Sequence, residues 1–265
     1  MHIGCSGWSY ADWVGSFYPH GTQQGDFLKL YSKVFDTVEI DSSYYRIPSP
    51  LQITEWRNAT PEGFLFTAKF PKQITHEHKL VNVSERLSRF YEVMESLREK
   101  LGPLVIQLPP SFKLPNDEEA FKGFLGQLRP DFRHSVEFRH RSWFKPEIMK
   151  LLEASGVGLC WSETQYLSTP PEVTSDFAYV RMVGDRALTK FDKKQRDKSE
   201  VMKKWHSALE EKSRLFKDGF VFFNNHFTGF SPGSIREYRR LAGLAEIDWS
   251  GLSGAEAGQK TLLDF

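Results

Sequence analysis

The sequence predicts an α/β fold, a single (β/α)8 TIM-type barrel that lacks one crossover helix after the sixth strand. Eight short apolar runs recur along the 265 residues, and amphipathic helical patterns separate most of them. Eight strands with helical crossovers in about 250 residues is the usual size of such a barrel. An open doubly wound sheet is the alternative, but "GCSG" lacks the spacing of either nucleotide-binding fingerprint, so the barrel is favoured.

The eight runs are too short and too evenly apolar for strands that face solvent on one side. This pattern is typical of strands buried on both faces, as in a parallel sheet. In chain order they are "HIGCSG", "TVEIDSSYY", "FLFTAKFP", "GPLVIQLPP", "HSVEFRH", "VGLCWSE", "FAYVRMVG" and "GFVFFNN".

Helical periodicity appears in five of the segments between and after the runs. The clearest, "SERLSRFYEVMESLREKLG", is predicted to begin at Ser84 and to end at Gly102, and "NDEEAFKGFLGQL" to begin at Asn116. "DFLKLYSKVF", "KKWHSALEEKSRLF" and "SPGSIREYRRLAGL" have similar stripes. After Glu163, "TQYLSTPPEVTSD" contains two prolines and no helical period, so a loop is expected there in place of a helix.

Composition places the chain among ordinary globular proteins. Hydrophobic residues make up 40% and charged residues 26%, and a formal net charge of +1 gives no global indication of nucleic-acid or membrane binding. No run is long enough to span a membrane, and "MHIGCSGW" lacks the features of a signal peptide. The two cysteines, Cys5 and Cys160, form no CxxC pair, which indicates a reduced, cytoplasmic protein. We expect a barrel over residues 1–250 and a flexible tail over residues 251–265.

Polar residues end almost every predicted strand. The carboxyl ends of barrel strands form the active site in this fold, and burying such groups without partners is costly, so we expect them to meet in one site. Any single member could instead belong to an ion pair that serves packing alone. The residues predicted to be catalytic are Glu39, Glu137, Lys69 and Arg181. The residues predicted to bind substrate are Trp8, Tyr45, Gln107, Arg139, His140, Trp143, Glu163, Asn224 and Asn225.

Several stretches resemble a known family when taken in order. "IGCSGWSYADWVGSFYP", "TVEIDSSYYRIP", "FTAKFPKQITHEHKL", "GPLVIQLPPSF", "SVEFRHRSWF", "YVRMVG" and "FFNNHFTGFSP" are similar to the YecE-like family, domain of unknown function 72. The resemblance covers nearly the whole chain and implies a TIM-type barrel, but the activity of the family is not established. Where the family commonly has a histidine before the glycine after strand seven, this chain has Val183.

The residue types of the predicted site suit two kinds of chemistry. Arginine forks bind phosphate or carboxylate groups, and paired carboxylates serve as general acid and base or as ligands of hard metals. Histidines after strands three, five and eight could add to a divalent metal site, although no HExxH motif occurs. The cofactor therefore stays open, with a divalent metal as one option.

A basic run follows strand seven and borders the predicted active face. "KFDKKQRDKSEVMKK", residues 190–204, holds seven basic and three acidic residues and is either a solvated helix start or a patch for a phosphate backbone. The sequence predicts an enzyme that acts on a phosphate-bearing substrate, with nucleic-acid processing or repair as one form of that activity. The alternative is a non-catalytic binding module for a sugar or phosphate ligand.

The last residues, "QKTLLDF", follow a spacer of small residues. Gln259, Leu262 and Phe265 have the spacing of the peptide by which DNA replication and repair proteins bind the sliding clamp, and the stretch resembles that peptide. The motif usually has two aromatic residues, and here the chain provides one. A terminal segment that docks on its own barrel is the equal alternative.

Overall fold

Eight parallel strands close into a barrel in the order of the chain, which confirms the predicted fold. The computed structural model describes residues 1–164 and 166–254. Strand β8 pairs with β1 in parallel, for example Ile3 with Val221, and this pairing closes the barrel. The strands are β1 (His2–Ser6), β2 (Thr37–Ile40), β3 (Leu65–Lys69), β4 (Leu101–Gln107), β5 (His134–Glu137), β6 (Val157–Thr164), β7 (Phe177–Gly184) and β8 (Asp218–Phe223).

Helices and short helical turns cover the outside of the barrel. Most crossovers contain a helix, and the last strand leads into two helices, the second of which packs against the N-terminal strand. The helices are α1 (Phe27–Tyr31), α2 (Pro50–Ala59), α3 (Ser84–Glu95), α4 (Glu118–Leu125), α5 (Pro146–Ala154), α6 (Ser199–Glu211), α7 (Asn225–Thr228) and α8 (Ser231–Leu241). None of these helices is long and apolar enough to cross a membrane.

The described part of the β6–β7 connection contains no helix, as the two prolines of this segment predict. Its backbone instead runs along the outside of β6. The indole Nε1 of Trp161 donates to the Glu172 carbonyl at 2.7 Å, and Thr174 Oγ1 accepts from the Leu159 amide at 2.8 Å. These bonds replace the packing that a crossover helix would provide.

Two helix boundaries differ from the sequence prediction. The helix that begins at Ser84 ends at Glu95 instead of Gly102, because Arg98 has a positive φ of 53° that breaks the helical path. Gly102 belongs to β4 instead. Helix α4 begins at Glu118, two residues after the predicted Asn116, so the first turn of that prediction is wrong.

Residues alternate along each strand between the barrel interior and the layer under the helices. In β7, Ala178 and Val180 belong to the large outer cluster, whereas Phe177 and Tyr179 belong to a second cluster inside the barrel. Side chains alternate with a period of two, so Arg181, two residues after Tyr179, also points into the barrel. The same alternation makes Glu39 of β2 and Glu137 of β5 inward-facing, so the closed barrel brings these charged residues together.

The described chain ends against the barrel. Trp249 Nε1 donates to the Ser16 carbonyl at 3.0 Å, and Leu252, in the short helical turn Ser250–Gly254, is 7% exposed and belongs to the outer cluster. The expected division between a barrel of residues 1–250 and a tail of residues 251–265 stays a prediction. Residues 255–265, with Gln259, Leu262 and Phe265, lie outside the described part of the chain.

Candidate functional site

A cavity of about 1080 Å³ opens at the carboxyl end of the barrel. Its walls come from the ends of β2, β3, β4, β5, β7 and β8 and from the segments that follow β1, β6 and β7. The polar and aromatic residues that line it are Tyr10, Asp41, Tyr44, Tyr45, Lys69, Gln107, Arg139, Thr164, Tyr166, Arg181, Asp185, Arg186, Thr189, Phe191, Asn224, Asn225 and His226. This is the end of the barrel at which the fold places active sites.

Arg181 is the centre of a hydrogen-bonded network at the floor of this cavity. Its Nε and one terminal nitrogen donate to the two oxygens of Glu39 at 2.8 and 2.7 Å, which is a bidentate pair. Its other terminal nitrogen donates to Glu137 Oε2 at 2.6 Å. Tyr179 donates its hydroxyl to Glu39 Oε2 at 2.9 Å and contacts the Thr67 hydroxyl at 2.8 Å. The guanidinium is therefore held in one orientation.

Two further cations join this network from either side. Lys69 Nζ forms an ion pair with Asp41 Oδ1 and lies 3.9 Å from Glu39 Oε1. Arg139 contacts Glu137 Oε1 at 2.6 Å, and Gln107 Nε2 donates to Glu137 Oε2 at 2.8 Å. Counting Arg181, the network therefore joins three cations to three carboxylates, so its formal charges cancel.

The charges of the network set the ionisation of its carboxylates. Burial alone would raise the pKa of Glu137, but the neighbouring Arg139 and Arg181 and the hydrogen bond from Gln107 lower it to about 2. Burial likewise opposes ionisation of Asp41, and the charges of Lys69 and Arg181 outweigh it and lower the pKa of that carboxyl. Both groups are thus carboxylates at neutral pH, and their proton affinity is low.

Some polar atoms at the cavity lack a hydrogen-bond partner among the described residues. Arg139 Nε, Asn225 Nδ2 and His226 Nδ1 are all buried atoms in this state. Buried donors are usually paired in proteins, and leaving one without an acceptor costs about 1–3 kcal/mol. These three atoms are free to hydrogen-bond with solvent or with a ligand that enters the cavity.

The segment after β7 forms one wall of the cavity. Gly184 ends the strand with φ of 73°, and a Cβ atom there would lie 2.3 Å from the His226 carbonyl oxygen, so only glycine fits. Phe191 then packs edge-on against His226 and Tyr10, with ring centroids 5.1 and 6.0 Å away. This wall is therefore fixed to the β1 and β8 sides of the mouth.

Comparison with known proteins agrees with this architecture. A family model described as "Protein of unknown function DUF72" matches residues 2–257. The chain belongs to the DUF72 family. It is 25% identical to UPF0759 protein YunF of Bacillus subtilis (strain 168), over 96% of this chain and 97% of YunF. It is 31% identical to UPF0759 protein YecE of Escherichia coli (strain K12), over 54% of this chain and 50% of YecE.

A solved structure of a DUF72 family protein from Thermotoga maritima has the same fold. The two chains share 29% sequence identity and superpose with a TM-score of 0.77, over 91% of this chain and 98% of the Thermotoga chain. The family resemblance drawn from the sequence motifs is thus confirmed, and the family description states no activity.

Seven of the predicted site residues of this DUF72 protein line the cavity: Tyr45, Lys69, Gln107, Arg139, Arg181, Asn224 and Asn225. Glu39 and Glu137 lie beneath its floor, each with 0% exposure, and Arg181 separates them from the open space. The two glutamates face each other across the barrel as predicted from strands two and five, but they meet through a shared arginine and not across an open mouth.

Four residues predicted to bind substrate lie elsewhere in the DUF72 fold. Trp8 packs edge-on against Trp56 of α2 at 5.0 Å, and Trp143 is fully buried between Phe112 and Phe138. His140 Nδ1 accepts the Ser142 amide at 3.2 Å and caps a short turn. Glu163 accepts from Ser168 and from Lys204 on the outer face. None of these four side chains lines the cavity.

The structure also adds residues that strand-end reasoning did not assign to the site. Tyr10, Tyr166, Arg186 and Phe191 come from the segments after β1, β6 and β7 and reach the cavity by the path of those loops. A sequence signal was present only for Arg186, which follows the predicted seventh strand closely. The loop residues carry no periodicity from which their direction could be read.

Much of the basic run is already paired with acidic groups. Lys194 contacts Glu237 of α8 at 2.8 Å, and Arg196 pairs with Asp185. Lys203 and Lys204 pair with Glu200 and Glu163. In residues 1–164 and 166–254, no group of three or more histidine, cysteine, aspartate or glutamate side chains is arranged to hold a metal ion.

Proposed function

We propose that this DUF72 protein is an enzyme that acts on a small phosphate-bearing substrate in the cavity at the barrel mouth. The observation that carries the proposal is Arg139, which is held by Glu137 and keeps a buried Nε without an acceptor at the cavity wall. A phosphate oxygen is a suitable acceptor, because guanidinium groups bind phosphate through several parallel N–H bonds.

The charges exposed to the cavity support an anionic ligand. Lys69, Arg139, Arg181 and Arg186 line it, against two carboxylates, Asp41 and Asp185. Asp185 is further neutralised by its ion pair with Arg196 on the outer side. The buried glutamates hold the arginines in fixed orientations, so that donors are already aimed before an anion arrives, which is the arrangement that stabilises developing negative charge most effectively.

Lys69 and Asp41 are the pair best placed for proton transfer. Both line the cavity, and they form an ion pair in which the Lys69 ammonium can give a proton to a leaving-group oxygen, while the Asp41 carboxylate, a weak base because its pKa is lowered, holds the ammonium in place. Glu39 and Glu137 make contacts with both carboxylate oxygens, so the geometry favours a positioning role for them over the acid–base role expected from the sequence.

Calorimetric titration with inorganic phosphate tests the binding part of the proposal. We expect Arg139→Gln to weaken phosphate binding by about tenfold or more, since a hydrogen bond between charged groups contributes about 1.5–3 kcal/mol. Arg141→Gln is the matched control, because Arg141 is exposed and does not line the cavity. If phosphate does not bind, or if both variants bind it like the original protein, the proposal is wrong.

Phosphorus NMR separates an enzyme from a binding module. The spectrum of a mixture of phosphate esters, recorded with and without the protein, reports turnover as new signals without assuming a product. We expect turnover that Asp41→Asn and Lys69→Met abolish while the esters still bind. Binding without turnover in the original protein would favour the second candidate function, a sugar- or phosphate-binding module, which the exposed Tyr45 and Tyr166 at the cavity support through ring stacking.

Nucleic acid as the substrate is a narrower form of the proposal. Among the described residues, the ion pairs of the basic run involve Lys194, Arg196, Lys203 and Lys204, so Lys193 and Lys198 can contact a phosphate backbone. We expect Lys193→Ala with Lys198→Ala to lower the salt slope of DNA or RNA binding by about one per lost contact. Lys150→Ala on α5 is the control, and an unchanged slope in the double variant would remove nucleic acid from the proposal.

Recruitment by a sliding clamp is tested on the terminal peptide alone. The last twelve residues should bind the host's clamp in the micromolar range, about −8 kcal/mol, if Leu262 and Phe265 fill its apolar pocket. The same peptide with both residues changed to alanine is the control. No heat of binding with the unaltered peptide would exclude clamp recruitment without affecting the proposal for the cavity.

A further inference from the structure

Asn225 has its side-chain amide fixed in one orientation by three donors. Its Oδ1 accepts the Ser231 backbone N–H at 2.9 Å, the Ser231 hydroxyl at 2.7 Å and the Trp13 indole N–H at 3.2 Å. A backbone amide and an indole nitrogen can only donate, so the acceptor atom of Asn225 must face them. The Nδ2 atom consequently points away from Ser231 and Trp13, in a residue that lines the cavity.

This amide carries N–H groups that the described protein does not use. Asn225 is 1% exposed, and its Nδ2 makes no hydrogen bond within residues 1–164 and 166–254. The Tyr10 hydroxyl lies near it and donates to the Ser6 carbonyl at 2.8 Å. Even if the Tyr10 oxygen accepted one N–H, the second N–H of the amide would remain for a ligand.

His226, the next residue, places a second unused atom at the same wall. Its backbone N–H donates to Asn224 Oδ1 at 3.0 Å, and Phe191 packs edge-on against its ring, so the ring direction is fixed. Nδ1 is buried and makes no hydrogen bond of normal geometry among the described residues, although the Leu188 backbone lies close to the ring. Burial lowers the pKa of this imidazole, so the ring is neutral at neutral pH and Nδ1 can donate or accept according to its tautomer.

These groups lie at a different part of the cavity from the arginine that carries the proposed phosphate site. Asn225 and His226 follow β8, and Arg139 follows β5, so the two sets are three strands apart around the closed barrel. Around the ring of strands, Arg181 of β7 lies between the two sets, and Gln107 of β4 lies next to Arg139 on the other side. A ligand that satisfies both sets therefore has two different recognition points.

We infer that Asn225 and His226 form a neutral subsite for a hydroxyl or carbonyl oxygen, and that the substrate is a phosphate ester of a small polyhydroxy compound such as a sugar phosphate. The inference rests on the proposed function, since the phosphate is assigned to Arg139. An uncharged amide and a neutral imidazole suit an oxygen that can both accept and donate. The charges that act on His226 are Arg186 on one side and Asp185 and Asp41 on the other, so a second phosphate group would meet no excess of positive charge at this wall.

Calorimetric titration with inorganic phosphate and with a panel of three- to six-carbon sugar phosphates tests the subsite. At least one ester should bind about tenfold more tightly than inorganic phosphate, because it fills both recognition points. Asn225→Asp retains an oxygen for Ser231 and Trp13 but removes both N–H donors. His226→Phe retains a ring against Phe191 but removes Nδ1, so it remains informative if the first variant does not fold.

Both variants should reduce the affinity ratio of ester to inorganic phosphate to about one. Asn58→Asp is the control, because it adds the same negative charge as Asn225→Asp at an exposed position on α2, and it should leave the ratio unchanged. If phosphate binds through Arg139 but no ester binds more tightly, the subsite is refuted and the proposed function stands. The same holds if an ester keeps its advantage in both variants. If neither phosphate nor any ester binds, the proposed function fails, and the subsite for a phosphate ester fails with it.

Discussion

Removing the charge of Glu137 should change how the stability of the barrel depends on pH. This carboxyl has 0% exposure and contacts Arg181, Arg139 and Gln107, which together hold its pKa at about 2, against 4.5 for an ordinary glutamate. The folded protein thus keeps the group ionised at a pH where the unfolded chain protonates it. Protonation therefore favours unfolding, and the contribution is complete above about pH 4.5 and is lost as the pH falls toward 2.

The size of the effect follows from the difference between the two pKa values. A fall from 4.5 to about 2 corresponds to about 3 kcal/mol of unfolding free energy at neutral pH. About 2 kcal/mol of this is lost between pH 7 and pH 3, because the unfolded chain then binds the proton and the folded protein still does not. Glu137→Gln should also cost about 3–5 kcal/mol at pH 7, since it leaves buried arginine charge without its partner.

Urea denaturation followed by circular dichroism at pH 7 and pH 3 measures both quantities. We expect the difference in unfolding free energy between the original protein and Glu137→Gln to shrink by about 2 kcal/mol from pH 7 to pH 3. Glu119→Gln serves as the control, because the Glu119 side chain is 89% exposed. A difference that stays constant with pH would show that the arginines do not hold the Glu137 pKa low.

Three other substitutions test single contacts by the same denaturation assay. Gly184→Ala should destabilise the protein by more than about 1–3 kcal/mol, because its new Cβ meets the backbone that follows β8. Gly21 has a similar φ of 83° and nothing within 4 Å of an added Cβ, so Gly21→Ala should cost less. Equal losses of stability in the two variants would contradict the clash. Tyr179→Phe should cost about 1.5–3 kcal/mol by removing a donor to a buried carboxylate, and no loss would show that the hydroxyl is dispensable. Lys100→Met should cost at least about 1 kcal/mol of stability, because Lys100 Nζ donates to three oxygens at the end of α2, at 2.6 to 3.0 Å. Unchanged stability would show that water can replace the ammonium as the donor to those oxygens.

The barrel could be predicted from sequence because its strands carry a strong local signal. The strands are largely buried on both faces, and polar residues recur at alternate, inward positions, as with Tyr179 and Arg181 in β7. Helix α2 was not identified, since only Ile53 of its ten residues is buried and no apolar stripe marks it. Its start is given instead by Ser49, whose side chain caps the helix, and by the proline that follows.

The candidate site was predictable where strands determine it and not where loops do. Lys69, Arg139 and Arg181 reach the cavity because the period of two turns them inward at the carboxyl ends of their strands. Trp143 lies in a turn beyond its strand and faces the outer layer, where two phenylalanine rings enclose it. Phe191 reaches the cavity because its segment crosses the mouth and is held by the Asp12 carboxylate, a long-range contact that no local pattern encodes.

The cancellation of charge at the cavity floor has a kinetic consequence. Three cations and three carboxylates within one network act as a multipole, whose potential falls with distance much faster than that of a single charge. An approaching anion therefore feels little from the floor until it has entered the cavity. Long-range steering comes instead from exposed cations around the mouth, such as Arg186 at the cavity wall, and their influence reaches only about 8 Å at physiological salt. Association should accordingly depend only weakly on ionic strength, while the lifetime of the complex depends on the donors inside.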